Sequence, residues 1–348
     1  MGIADGSRDR VVIFLLRRLR LCYNFPMNKI RIGVLRGGPS SEYEVSLKTG
    51  VSVLNNLPDK YSPVDIFIDK SGVWHIQGVP HQPHETFKKV DAIFNALHGE
   101  YGEDGKVQKI LDTFSVPYTG SKTIASAIGM NKALAKNVFK SHGIKTPYFT
   151  VESKSENIDE IASKLFKTFP MPAVVKPIAG GSSVGVSIAY DFRGLKDALA
   201  KAFEYSDKAL VEEYINGREA TCGVVDKFRG KDIYSLLPIE IIKPEKSEFF
   251  DYEAKYCGGS QEICPGNFSQ SEKEAIQGLA VMAHKVLGLR HYSRSDFIVS
   301  PRRGIYILEV NTLPGLTSES LLPKSLQAIG CSLPDFLDHL ITLALAGK

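Results

Sequence analysis

The chain's chemistry is most legible between Tyr292 and Thr317, where Arg294, Asp296, Glu309 and Asn311 fall on two strand-like runs joined by Pro301-Arg302-Arg303-Gly304. Side chains alternate along a strand with period two. Tyr306, Leu308 and Val310 are therefore expected on one face, and Ile307, Glu309 and Asn311 on the other. On the first run Phe297 and Val299 share a face, while Arg294 and Asp296 take the opposite one. A four-residue loop would pair Ser300 with Ile305, which sets Asp296 across from Glu309 and Arg294 across from Asn311. Facing carboxylates repel, so a positive group must sit between them. Two carboxylates and an amide suit Mg²⁺, especially when phosphate oxygens complete the shell. An isolated Glu-x-Asn would read better as a solvated hairpin, and the weight comes from the rest of the chain.

Elsewhere the reactive residue types fall next to glycine-rich turns. Pro172-Ala-Val-Val-Lys-Pro177 leads into Ile178-Ala-Gly-Gly-Ser-Ser-Val-Gly185, then into Val186–Ala189. This loop joins strand to strand, unlike a P-loop or a dinucleotide-binding turn, which open a helix. Such a flap can cover phosphates with backbone N–H groups and hydroxyls, with Lys176 placing its ammonium beside them. Its plain alternative is a flexible hairpin. Lys132 falls in the first turn of a predicted helix, Met130–Ser141, where the helix dipole disfavours a cation. That placement fits an anionic ligand about as well as it fits an ordinary surface lysine. Glu42 and His98 follow predicted strands; taken alone, His98 reads as a loop histidine.

The elements that must position these groups are regular. Ile30–Leu35, Val64–Ile68 and Val90–Leu97 read as strands, and Ser41 with Glu44 as a capping box opening a helix to about Leu57. Strand–helix–strand alternation predicts a parallel sheet, whose ligands gather at the carboxyl ends of the strands, where Glu42 and His98 lie. Ala209–Ile215 reads as a strand whose edge can hydrogen-bond a base, with Glu219 beyond it for ribose hydroxyls. Phe249–Tyr256 reads as a functional loop, and Ser271–Leu287 as a helix feeding the hairpin.

The chain has 348 residues, 43% hydrophobic and 24% charged, which excludes a disordered or coiled-coil protein. Of its net charge of +4, most comes from residues 1–26, where five arginines face two aspartates, so no nucleic-acid surface is expected. The five cysteines are dispersed without metal-ligand spacing, which fits a reducing compartment. Val11–Leu16 is too short to span a bilayer. Residues 1–26 are expected to be an upstream extension or a misassigned start, with the fold beginning near Met27.

In this order, Gly37–Ser46, His98–Gly105, Pro117–Ser121, Val175-Lys-Pro177 with Gly181–Gly185, Asp251–Tyr256, Arg294-Ser-Asp296 and Glu309–Gly315 resemble the D-alanine–D-alanine ligases of the ATP-grasp superfamily. The resemblance runs from about Lys29 to the C-terminus and implies an α/β (α+β ATP-grasp) fold. An N-terminal parallel α/β domain (27–121) would be followed by two lobes clasping ATP (122–219 and 220–348), with residues 1–26 outside. It implies that Lys132, Lys176, Gly181 and Ser183 contact ATP phosphates, that Glu212, Glu213, Tyr214 and Ile215 line the adenine, and that Glu219 takes the ribose. Asp296, Glu309 and Asn311 would hold two Mg²⁺, with Mn²⁺ an alternative. Glu42, with His98 nearby, would bind the first D-alanine, and Lys255, Ser320 and Leu321 the second. Arg294 and the Gly315 amide would stabilise an oxyanion, and Glu42, Ser182 and Tyr256 would close the flap.

The activity this resemblance implies is ligation through an acyl phosphate for peptidoglycan synthesis, in the cytoplasm, with no nucleic-acid or membrane partner. Oligomeric state stays open, a homodimer being one option. The rivals are a D-alanine–D-lactate or D-alanine–D-serine ligase and a non-catalytic ATP-grasp module. Tyr256 argues against lactate, where the family carries Phe, and Arg294 argues against a module that only binds nucleotide. One departure is Asn131, where the family commonly has Asp.

Overall fold

The computed structural model describes residues 29–154, 157–181, 183–242 and 260–347. Ser182, Lys255, Tyr256, the Phe249–Tyr256 loop and the 1–26 extension lie outside the described residues.

The first sheet is built from buried apolar runs. β1 (Ile30–Gly37), α1 (Tyr43–Asn56), β2 (Tyr61–Ile68), β3 (Trp74–Ile76), β4 (Val79–His81), α2 (Pro83–Phe87), β5 (Ala92–Asn95) and α3 (Lys106–Thr113) succeed one another along the chain. β1 pairs in parallel with both β2 and β5, as the strand–helix alternation predicts, and β3 and β4 extend the sheet antiparallel. The expected capping box at α1 does not form. The helix starts one residue later, with Glu42 at the N-cap position and no side-chain cap. Ser40 Oγ accepts from the Glu42 amide, and Ser41 Oγ donates to Glu100. Glu42 therefore stands just before the helix rather than in its first turn.

A second unit carries α4 (Thr123–Met130), α5 (Lys132–Ser141), β6 (Phe149–Ser153), α6 (Ile158–Thr168), β7 (Ala173–Pro177), β8 (Ser187–Ala189), α7 (Phe192–Tyr205) and β9 (Lys208–Glu213). The predicted Met130–Ser141 helix is broken at its start. Met130 ends α4, and Asn131 caps α5, its Oδ1 accepting from the Leu134 amide at 3.1 Å. The sheet of this unit runs β6-β9-β7-β8, and α6 and α7 cover it with an apolar core of their own.

The third unit is β10 (Arg218–Asp226), β11 (Ile233–Ser235), β12 (Ile239–Ile242), β13 (Gln261–Ile263), α8 (Gln270–Val286), β14 (Tyr292–Ser300), β15 (Gly304–Asn311), α9 (Leu321–Ala328) and α10 (Leu333–Ala346). α10 is last in the chain, yet its Phe336, Leu337, Leu340 and Ile341 share one core with Ile32, Val34 and Phe94 of the first sheet. Among the described residues no single helix is long and apolar enough to cross a membrane; α9 and α10 together pass by length and composition but bend by 104°.

The β14–β15 hairpin departs from expectation twice. Its loop holds three residues, because Gly304 adopts φ +78 and pairs with Ser300, so the ladder begins one residue out of register. A bulge then absorbs one residue: Phe297 pairs with Ile307, but Asp296 pairs with Glu309. The two shifts cancel, and the expected Asp296–Glu309 and Arg294–Asn311 pairs form. The expected faces do not survive the bulge. Ile307 and Val310 share the core with Phe297, whereas Tyr306 and Leu308 pack with Ile298. Leu308 and Glu309 consequently both line one cavity.

Candidate active site

Two cavities meet at the carboxyl end of β15. The first, of about 170 Å³, lies between the β7–β8 flap and the β10–β14–β15 face. Val174, Ile241, Ile298, Leu308 and Leu321 give it apolar walls, while Glu212, Glu213, Tyr214, Ile215 and Glu219 line it along β9 and the start of β10. Lys132, Lys176, Gly181, Ser183, Arg294 and Asp296 line it as well. An apolar slot continuing into a cationic end suits a flat base joined to an anionic chain.

The charges there are tied together. Lys132 Nζ donates to the Gly180 carbonyl at 2.6 Å and lies 3.3 Å from Glu309 Oε2, linking flap to hairpin. Lys176 Nζ lies 2.6 Å from Glu212 Oε2, and Lys136 Nζ 2.5 Å from Glu212 Oε1. Burial alone would raise the Glu212 pKa, but the two lysines outweigh it and hold the carboxyl below its ordinary value. Burial would lower Lys176; Glu212 and Glu309 outweigh it and raise this ammonium's pKa. Complete burial does prevail at Lys136, lowering it to about 8.

Asp296 is held by four donors. Arg294 Nε and Nη2 each donate at 3.0 Å, Thr221 Oγ1 at 2.6 Å and Asn311 Nδ2 at 3.1 Å. Among the described residues no cluster of three His, Cys, Asp or Glu side chains forms. The donor set is instead two carboxylates and one amide, hard oxygen donors that fit Mg²⁺ when phosphate and water supply the rest. A cation taken by Asp296 would replace one of its four donors.

The second cavity, of about 90 Å³, shares Arg294, Glu309 and Leu321 with the first. Glu42 and His98 line it from the first unit; Asn311, Gly315 and Ser320 line it from the C-terminal unit. His98 Nε2 is 2.8 Å from Thr49 Oγ1, and Nδ1 is 3.9 Å from Glu103 Oε1. Glu103 accepts from the Gly99 and Leu313 amides at 3.1 Å and from Thr312 Oγ1 at 3.2 Å, so one buried carboxylate joins both walls. Burial opposes its ionisation, but His98 and these amides outweigh it and lower its pKa. Two glycines are set by close approach. A Cβ on Gly181 would lie 2.8 Å from Glu42 Oε2, and one on Gly315 would lie 2.7 Å from Ser320 Oγ.

The described residues singled out from sequence therefore gather around these two cavities. Sequence reasoning misses Lys136, Glu103 and Thr221. Lys136 carries a signal, standing four residues after Lys132 on one helix. Glu103 lies within the His98–Gly105 motif. Thr221 meets Asp296 through β10–β14 pairing, which no local pattern announces.

A family model described as the D-ala D-ala ligase C-terminus matches residues 138–342, and one for the N-terminus matches 31–85 and 76–121. A D-alanine–D-alanine ligase of Pelotomaculum thermopropionicum is 38% identical over 91% of this chain and 97% of its own. A D-Ala:D-Ser ligase of Enterococcus faecalis superposes with TM-score 0.80 at 31% identity, covering 91% of this chain and 100% of that one. A D-alanine–D-alanine ligase of Bacillus anthracis solved with ATP superposes with TM-score 0.74 at 35% identity, covering 91% and 98%.

Proposed function

Because the chain belongs to the D-alanine–D-alanine ligase family, we propose that it joins two D-alanines into D-alanyl-D-alanine, converting ATP to ADP and phosphate, for cytoplasmic peptidoglycan precursor synthesis. The observation that carries this reading is the shared wall of the two cavities. Arg294, Glu309 and Leu321 border both, so a triphosphate in the first would end where an amino acid in the second begins.

In this reading the adenine lies among Val174, Ile298 and Leu308, with Glu212–Ile215 at its edge and Glu219 toward the ribose. Lys132, Lys176 and the Gly181–Gly185 flap take the phosphates. Asp296, Glu309 and Asn311 would hold two Mg²⁺, which would supply neutralisation of charge on the transferring phosphoryl group. Glu42 binds the ammonium of the first D-alanine, with His98 nearby, orienting its carboxylate for attack on the γ-phosphorus. The second D-alanine, its carboxylate held by Lys255 and Ser320, releases a proton from its ammonium to solvent, the proton that accompanies ADP and phosphate among the products. Its amine then attacks the acyl phosphate and expels phosphate. Negative charge on the tetrahedral oxygen falls to Arg294 and the Gly315 amide, preorganised donors of the kind that dominate such catalysis. Glu42, Ser182 and Tyr256 close the flap and keep water out. We divide the chain accordingly into 27–121, 122–219 and 220–348.

The test is ADP release with D-alanine, D-lactate or D-serine as acceptor, with products identified by mass spectrometry. D-Alanyl-D-alanine as the main product is expected. ADP release with no dipeptide, or with D-alanyl-D-serine dominant, would overturn the assignment.

A further inference from the structure

Lys136 takes no part in that mechanism, yet it is the most completely buried cation among the described residues, at 0% exposure. Its position on α5 puts it on the same helical face as Lys132, one turn along. Two ammonium groups on one face repel unless each has its own counter-charge. Lys132 has Glu309 at 3.3 Å, and Lys136 has Glu212 at 2.5 Å. Thr146 Oγ1 accepts a further bond from Lys136 Nζ at 2.7 Å. Lys136 lines neither cavity, but Glu212 lines the first, and its other oxygen holds Lys176 at 2.6 Å. Glu212 Oε1 lies buried without hydrogen-bond geometry, so what fixes it is the charge of Lys136. A buried ammonium is retained at a high desolvation cost, and here the carboxylate paired with it is the residue that fixes the phosphate-end lysine.

We propose that Lys136 is a positioning residue for nucleotide binding: it locks the Glu212 carboxylate in place, and Glu212 in turn aims the Lys176 ammonium at the triphosphate end of the cavity. The proposal rests on reading that cavity as the ATP site. Without Lys136, Glu212 keeps Lys176 as its strong partner and draws that ammonium toward itself, away from the phosphates.

Lys136→Met and Glu212→Gln separate this role from plain packing. ATP binding would be followed by calorimetry without D-alanine, alongside steady-state kinetics. For Lys136→Met the Kd and KM for ATP should rise about ten- to hundredfold, the range expected when Lys176 loses one charge-assisted hydrogen bond to the triphosphate, while kcat at saturating ATP and KM for D-alanine stay within about twofold. Combining the two substitutions should recover part of the ATP affinity, since no unpaired carboxylate then competes for Lys176. A folded Lys136→Met protein with unchanged KM for ATP would overturn the proposal, as would an equal loss in every kinetic constant. Should Lys136→Met fail to fold, Glu212→Gln decides: an equal loss of affinity for ATP and for inorganic triphosphate sustains the proposal, whereas an unchanged affinity, or a loss for ATP alone, overturns it. A wild-type chain that bound no ATP would instead overturn the reading of the cavity.

Discussion

The cavity proposed to hold ATP carries two clusters of cations facing carboxylates, a buried end and an open end of its charged side, which differ in exposure. At one end the side chains of Lys136, Glu212 and Lys176 are 0%, 3% and 9% exposed. At the other, Lys132, Glu309, Arg294 and Asp296 are 11%, 32%, 16% and 21% exposed. Removing one partner from a buried pair leaves a charge that nothing solvates, typically costing about 3–5 kcal/mol. A pair in contact with water is worth about 0–1 kcal/mol and exchanges partners readily. The buried end is therefore fixed, whereas the open end can trade its protein contacts for ligand oxygens or a metal. A site that must hold a nucleotide still while its phosphate changes hands needs both behaviours side by side.

The largest effect is expected at the open end. Glu309→Gln keeps size and hydrogen-bonding shape but removes the charge shared between Lys132 and the hairpin. Turnover should fall by about a hundred- to a thousandfold, the scale on which losing one preorganised electrostatic group acts, here through the cation that Glu309 would hold. The fold should persist, because Ile307 and Val310 still pack into the core. Circular dichroism and ADP release at saturating Mg²⁺ test both halves, and near-normal turnover would remove the metal assignment.

Glu103 gives the second cavity a fixed part of its own, buried and bonded to amides of both walls. Glu103→Ala leaves the Gly99 and Leu313 amides without that acceptor, a loss of about 1–3 kcal/mol for a buried group. The second cavity should loosen while the first stays intact. KM for D-alanine should rise about ten- to hundredfold with KM for ATP unchanged; a change confined to ATP would show that the strut serves the wrong cavity.

The open end is legible in the sequence and the fixed end only in part: Lys176 and Glu212 are singled out there, but Lys136 and the pairing of all three are not. Asp296, Glu309 and Asn311 announce themselves by strand alternation, although their register comes out right only because a three-residue turn and a bulge cancel. Alternation cannot foresee a bulge, so it misassigns the faces of Ile307, Leu308 and Val310. The parallel first sheet is readable because its strands alternate with a helix and carry apolar centres, Ile32–Leu35, Ile66–Ile68 and Ala92–Phe94. The Lys136–Glu212 and Thr221–Asp296 contacts link residues 76 and 75 positions apart, respectively, and nothing local encodes them. The missing capping box has the same lesson: Ser41 and Glu44 satisfy the pattern, but Ser41 bonds to Glu100 across the loop.

A smaller effect concerns a fixed neutral group. His291 is buried, and its Nδ1 accepts from the Gly120 amide at 3.2 Å, which requires the unprotonated ring. Burial, with the nearby Arg290 charge, lowers its pKa to about 3. The unfolded chain binds a proton near pH 6.5, so it holds more protons than the folded chain between those values. Stability is thus fully present above about pH 6.5 and falls with acid by about 1.4 kcal/mol per pH unit across that window. Asp226, held below its ordinary value by His284 despite burial, adds a loss in the same direction at lower pH. His291→Asn tolerates the positive φ of 69 at this position and should flatten the slope of urea midpoints against pH. An unchanged slope would place the acid sensitivity elsewhere.

The smallest effect lies at Asn131, where the two ends join. This residue caps α5, and α5 carries Lys132 to the open end and Lys136 to the fixed one. Its Oδ1 accepts from the Leu134 amide, a role Asp performs equally well. Asn131→Asp should therefore keep the cap and add about 0.3–1 kcal/mol from a carboxylate at a helix N-terminus. The new charge also stands beside Lys132, whose ammonium it would draw weakly away from Glu309 and the phosphates. Stability should rise slightly, while KM for ATP rises less than about threefold. Asn131→Ala loses the cap and about 1 kcal/mol of stability, but adds no charge, so its KM for ATP should not move. The comparison separates capping from electrostatics, because the two substitutions shift the thermal midpoint in opposite directions and only one touches ATP. If Asn131→Ala raised the ATP KM more than Asn131→Asp, the cap itself would be aiming both lysines, and the fixed and exchangeable ends would act as one rigid element.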